Sequence, residues 1–209
     1  AGEAEYLPLY TQQDAEKALE QFEGLPVETP REIFPGLRLT FTDAGHLLGS
    51  ASVTLEIQEA GQARTLVFSG DIGNLHQPIL NDPHYLTKAD YVVMESTYGD
   101  RLHGPQPDYL ADLADTLQTT FERGGNVVIP SFAVGRTQEI LYFLREIKER
   151  GMVRGHEGFP VYMDSPLAIK ATNIFHEADA DEFDQEMKDL LARGVNPITF
   201  DDLVICVTA

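Results

Sequence analysis

Apolar and polar positions follow two different rules along this chain, and the rule changes near its middle. Residues 37–41 (Leu-Arg-Leu-Thr-Phe) and 51–57 (Ala-Ser-Val-Thr-Leu-Glu-Ile) alternate, which predicts strands with one wet face. The second strand turns at Ala60-Gly61 into residues 65–68, a predicted hairpin. Before them, Thr11 with Asp14 forms a capping-box signature for a helix carrying Ala15, Leu19 and Phe22 on one stripe, stopped at Gly24. Residues 26–35 read as a loop or an edge segment. From about residue 91 the apolar runs become short and continuous, at 91–94, 127–129, 161–163 and 203–207. Helical spacing fills the intervals. One helix is predicted over 107–121, ending at Gly124-Gly125, and one over 137–150, ending at Gly151. A third opens at Ser165-Pro166, a serine cap followed by a proline at the first helical position. A fourth covers 181–193 and ends at Gly194. Continuous strands alternating with helices predict a parallel sheet covered on both faces. The fold class is therefore α/β, with a division near residue 100.

Composition narrows the setting. The 209 residues are 43% hydrophobic, enough for one large or two small domains with a real core. No long apolar segment and no signal-peptide pattern occurs, so the expectation is a cytoplasmic protein with no membrane partner. Cys206 is the single cysteine, which excludes an internal disulfide; its apolar surroundings predict a buried structural thiol. The net charge of −19 argues against a basic nucleic-acid-binding surface. It leaves room for an enzyme that meets phosphates through divalent metals and a few arginines. Arginine outnumbers lysine two to one, and its planar fork suits phosphate.

Chemistry concentrates at the exits of the predicted strands, where open α/β sheets place their working crevice. His46 lies in the glycine-flanked turn Asp43-Ala44-Gly45-His46-Leu47-Leu48-Gly49-Ser50-Ala51. Asp71 follows Phe68-Ser69-Gly70. Imidazole and carboxylate both suit zinc, so His46 and Asp71 are candidate metal ligands, although two protein ligands alone do not hold a catalytic zinc. Glu95 directly follows residues 91–94; it reads either as a turn cap or as a carboxylate that orients a histidine or relays a proton. The segment Pro130-Ser131-Phe132-Ala133-Val134-Gly135-Arg136 leads into a helix N-terminus. Free backbone N–H groups there, with Ser131 and Arg136, would suit a phosphate. Ser165, after Asp164, repeats that arrangement more weakly. The other histidines, at 76, 84, 103, 156 and 176, read as surface or capping residues.

Taken together, Ala44-Gly45-His46-Leu-Leu-Gly49-Ser50-Ala51, Ser69-Gly70-Asp71-Ile-Gly73, Met94-Glu95-Ser96-Thr97-Tyr98-Gly99 and Pro130-Ser131-Phe132-Ala133-Val134-Gly135-Arg136-Thr137 resemble the β-CASP branch of the metallo-β-lactamase superfamily. The resemblance runs from Leu7 to Ala209, and the branch includes cleavage and polyadenylation factor-like and ribonuclease J-like nucleases. It implies that residues 1–99 are the second half of a metallo-β-lactamase domain, a partial αββα unit. It implies that residues 100–209 are a β-CASP domain with a parallel sheet flanked by helices. It assigns His46 as a zinc ligand, Asp71 as a bridging metal ligand with a catalytic role, and Glu95 as a catalytic acid of the first β-CASP motif. Ser131, Arg136 and Ser165 would contact substrate.

The family's His-x-His-x-Asp-His segment is absent from this sequence, as are its later β-CASP motifs. The expectation is a fragment, with activity only in the intact parent. The implied function is a phosphodiesterase with two zinc ions per complete site, cutting single-stranded RNA by metal-activated water and holding it by its backbone. A homodimer is compatible with the family. The rival readings are a small-ester hydrolase on the same fold and an inactive relative that binds RNA or a partner subunit.

Overall fold

A computed structural model describes residues 8–102, 104 and 107–206; the expectations for Leu7, His103 and Val207 lie outside the described residues. Helix α1 (Gln12–Leu19) forms where the capping box requires it. The Thr11 hydroxyl accepts from Asp14 N–H, and the Asp14 carboxylate accepts from Thr11 N–H at 2.9 Å. The helix buries none of its residues. Strands β1 (Arg31–Phe34), β2 (Leu37–Asp43), β3 (Ala51–Glu59), β4 (Gln62–Phe68) and β5 (Tyr91–Val93) make one sheet in sequence order. The first four are antiparallel neighbours; β5 runs parallel to β4.

This register decides where the chemistry falls. Asp43 pairs with Ala51, Val53 with Phe68, and Phe68 with Val93. Strands β2, β4 and β5 therefore all finish at the edge of the sheet where β3 begins. The turn holding His46, the turn holding Asp71, and Glu95 leave the sheet at that edge.

The second half is helical. It contains α2 (Tyr109–Glu122), α3 (Arg136–Glu149), β6 (Val161–Met163), α4 (Pro166–Glu177), a short 3-10 turn (Ala180–Glu182), α5 (Gln185–Ala192) and β7 (Leu203–Ile205). β6 and β7 form a parallel pair. Helix α3 faces two ways. Leu141 and Tyr142 pack with Met163, Phe175, Phe183, Met187 and Ile198, while Leu144 and Ile147 pack with Ala114, Leu117, Val153 and Phe159. Full burial of a side chain such as Ile147 contributes roughly 1.5–3 kcal/mol. Arg145 lies in this interior without an orphaned charge: it bonds the Pro197 carbonyl and the Glu149 carboxylate and stacks on Tyr142. The loop after Asp71 crosses into the same core. Ile79 is buried there, its carbonyl accepts from Asp184 N–H at 3.0 Å, and Leu80 bridges to Phe183.

The mixed α/β architecture agrees with the sequence pattern, and four details correct it. The apolar run at 91–94 joins the antiparallel sheet instead of the second-half sheet. It is not covered on both faces either, since Tyr91, Val92, Val93 and Met94 are all more than half exposed. The run at 127–129 forms no ladder, because β6 has its only strand neighbour among the described residues in β7. The helix expected over 181–193 breaks at Phe183, whose fully buried ring anchors the turn, and restarts behind the Asp184 cap. Cys206 is half-buried and free; its N–H bonds the Met163 carbonyl.

Candidate metal centre at the sheet edge

The turn between β2 and β3 is tied by its own polar residues. The Asp43 carboxylate accepts from Gly45 N–H at 2.8 Å, and the Ser50 hydroxyl accepts from both His46 N–H and Leu47 N–H at 3.0 Å. Ala44 N–H donates to the Ser50 carbonyl. With these donors satisfied inside the turn, the His46 imidazole is left exposed to solvent.

The Asp71 turn is built against it. Ser69 is buried; its N–H donates to the Val93 carbonyl and its carbonyl accepts from the Ser52 hydroxyl. Where the two turns meet, glycine is required: a Cβ on Gly73 would sit 1.8 Å from the Gly45 carbonyl oxygen. Gly73 N–H donates to the Ala44 carbonyl at 2.8 Å. Backbone against backbone at this distance brings the two turns together, and His46 Nε2 lies 4.0 Å from Asp71 Oδ2.

Glu95 is placed by the same framework. Its N–H donates to the Ser69 hydroxyl at 3.1 Å, and its carboxylate accepts from Ile72 N–H at 2.9 Å. That Ile72 bond, then one from the Thr97 side chain, holds the Glu95 carboxyl below its usual range, with a smaller contribution from His46. Glu95 therefore stays ionised at neutral pH and grips the residue next to Asp71.

The donors fit a zinc ion in kind, an imidazole nitrogen and a carboxylate oxygen. Their spacing is close to what the ion needs, because ligands on one tetrahedral zinc lie roughly 3.4 Å apart and these two exposed groups stand 4.0 Å apart. Their number is short of the three or four protein ligands that zinc takes. Among the described residues no group of three or more His, Cys, Asp or Glu side chains could hold an ion.

The loop before α3 meets the His46 turn at Leu47. Gly135, at φ +80°, has no Cβ to collide with Leu47, whose Cδ2 would stand 2.4 Å from one. The N–H groups expected to be free at this helix start are engaged. Gly135 N–H donates to the Gln138 side chain at 2.7 Å, Arg136 N–H to the Val134 carbonyl and Thr137 N–H to the Phe132 carbonyl. The reason is that Thr137 and Gln138 fold back on the loop they follow. Ser131 shares a hydrogen bond with the Thr137 hydroxyl, and Arg136 pairs with Glu139. Burial pushes the Glu139 carboxyl up, with Arg136 opposing. Ser165 caps α4 by accepting from Ala168 N–H. Ser131 thus stands on the loop that touches the His46 turn and Arg136 at the helix start that follows it, and Ser165 has a structural duty of its own.

Sequence reasoning missed Gln138. Its fully buried amide bonds Gly135, Ala133 and Thr172, which locks the loop onto α4. The signal was a glutamine three residues into a helix after glycine, a capping position. Ser50, Ser52 and Ser69 were also missed as supports; only tertiary contacts reveal them.

The site is thus an imidazole and two carboxylates gathered at one end of a sheet in an α/β chain. Residues 137–209 match the Beta-Casp domain model. The chain is 38% identical over 193 residues to Ribonuclease TTHA0252 of Thermus thermophilus, covering 91% of this chain and 42% of that protein. It is 31% identical over 191 residues to an RNase J-like protein of Methanocaldococcus jannaschii, covering 90% and 43%. It is 29% identical over 197 residues to Endoribonuclease YSH1 of Eremothecium gossypii, covering 93% and 25%. The chain belongs to the β-CASP family of the metallo-β-lactamase superfamily. It spans less than half the length of these relatives.

Proposed function

We propose that the full-length protein is a metal-dependent phosphodiesterase that cuts single-stranded RNA, with two zinc ions in its complete site. The observation that carries this reading is the convergence of His46, Asp71 and Glu95 at one sheet edge, with His46 and Asp71 4.0 Å apart. The ribonuclease relatives support RNA as the substrate.

His46 and Asp71 would hold the metal, and zinc there supplies Lewis acidity toward a phosphoryl oxygen and activation of water. Glu95 keeps the Asp71 turn in place through Ile72 N–H and adds negative charge beside His46. Ser131 and Arg136 would meet the substrate backbone, with Arg136 exchanging its Glu139 partner for a phosphate. Such recognition is led by the backbone and is weakly sequence-specific.

The test is cleavage of end-labelled single-stranded RNA by the full-length protein, with and without a zinc chelator, beside His46→Ala. The expected result is chelator-sensitive cleavage that His46→Ala abolishes while its circular dichroism is unchanged. Undiminished cutting by His46→Ala would overturn the site. Faster turnover of a chromogenic ester than of RNA would favour a small-ester hydrolase, and RNA binding without cleavage would favour an inactive relative.

A further inference from the structure

The His46 turn belongs by sequence to the sheet half, yet its next two residues are held by the helical half. Leu47 is half-buried and fills the space that a side chain on Gly135 would occupy. Leu48 packs against the core cluster that contains Leu141, Phe175 and Phe183. The backbone transmits this hold directly, because one oxygen, the Ser50 hydroxyl, bonds both His46 N–H and Leu47 N–H. Gly135 is itself fixed from behind by the buried Gln138 amide, which bonds Thr172 of α4. A continuous set of contacts therefore runs from α4 through Gln138, Gly135 and Leu47 to His46.

We infer that Leu47 and Gly135 are positioning residues through which the helical half sets the place of the His46 imidazole, and with it the affinity of the site for zinc. The inference rests on the metal reading of His46. It has a functional corollary. The loop that places Leu47 also carries Ser131 and leads directly into Arg136 at the start of α3, so substrate contact there and metal binding at His46 are coupled.

The experiment uses the full-length protein and its Leu47→Ala, Leu47→Met, Gly135→Ala and Leu47→Ala/Gly135→Ala variants. Zinc affinity is read by competition with a chromogenic chelator, thermal unfolding is read alongside, and RNA cleavage is measured in the same preparations. Leu47→Ala is expected to weaken zinc binding about tenfold, the scale seen when a ligand's supporting contacts are lost. Leu47→Met, which keeps the volume, restores it. Gly135→Ala acts in the same direction by displacing Leu47, and the double variant is no worse than the weaker single one, as for residues that share one contact. Wild-type zinc affinity in folded Leu47→Ala would overturn the inference, and that variant decides the matter even if Gly135→Ala does not fold. If the wild type binds zinc and leaves RNA uncut, the proposed function fails while this inference is judged on affinity alone. If the wild type takes up no zinc, both fall.

Discussion

The two halves of this molecule use their apolar residues differently. In the helical half, α3 buries Leu141, Tyr142, Leu144 and Ile147, and the surrounding helices close over both of its faces. In the sheet half, β5 exposes Tyr91, Val92 and Val93, and α1 buries nothing. A parallel strand with apolar residues on both faces ordinarily lies inside a protein. The helical half thus carries its own cohesion, while the sheet half is held in shape by hydrogen-bonded ladders and by the loop at 76–84 that is anchored in the helical core. The His46 and Asp71 turns sit where the two halves meet.

The largest effect is expected in the helical core. Ile147→Ala should cost about 2–5 kcal/mol by the cavity it leaves, measured by urea unfolding of the 209-residue chain. A cost below about 1 kcal/mol would show that α3 is not the keystone of that half.

Next in size is Gly73→Ala. Its methyl would meet the Gly45 carbonyl, which is backbone and cannot step aside cheaply. Overpacking of this kind costs typically 1–3 kcal/mol, and here it should also separate His46 from Asp71. Unfolding and zinc competition on one preparation would show both effects; an unchanged zinc affinity would mean that the turns are not fixed by this approach.

A smaller effect concerns pH. Burial pushes the Asp184 carboxyl above its ordinary range, against the backbone bonds that lower it. The folded state therefore holds this proton more tightly than the unfolded chain. Its contribution is fully present below the ordinary aspartate pKa of about 4 and is lost as pH rises through the raised value. Asp184→Asn keeps the cap on Met187 N–H and removes the titration. The variant should lose less stability than wild type as pH rises from 4 to neutrality (~4 to ~7); an identical slope would show that Asp184 does not titrate across that window.

The smallest effect is Val92→Ala on exposed β5, expected within about ±0.5 kcal/mol in the 209-residue chain. The same substitution in the full-length protein sharpens the contrast, since a larger cost there would mean that β5 is covered.

What was legible in the sequence follows the range of the interactions. Thr11, Asp14 and Ser165 announced their helix starts because caps act within one turn. The alternation at 37–41 and 51–57 announced β2 and β3, which pair along their length, but not the burial of Thr42 and Ser52 on their polar faces. The run at 91–94 announced a strand but not its sheet, since pairing with β4 is a long-range choice that local pattern does not encode. The break at Phe183 was hidden by apolar spacing that suits a continuous helix, although Asp184 ahead of Met187 is a cap signal. In the site, glycines around His46 and Asp71 marked turns of unusual closeness. That Glu95 would hold Ile72 N–H, or that Leu47 would seat on Gly135, depends on how the halves meet.

The central claim is that the His46 and Asp71 turns form part of one metal site. The most direct measurement is the zinc content and affinity of the purified full-length protein beside His46→Ala and Asp71→Ala. The account predicts that the wild type binds zinc and that each substitution sharply weakens it without unfolding the chain. Equal zinc binding by all three proteins would contradict it.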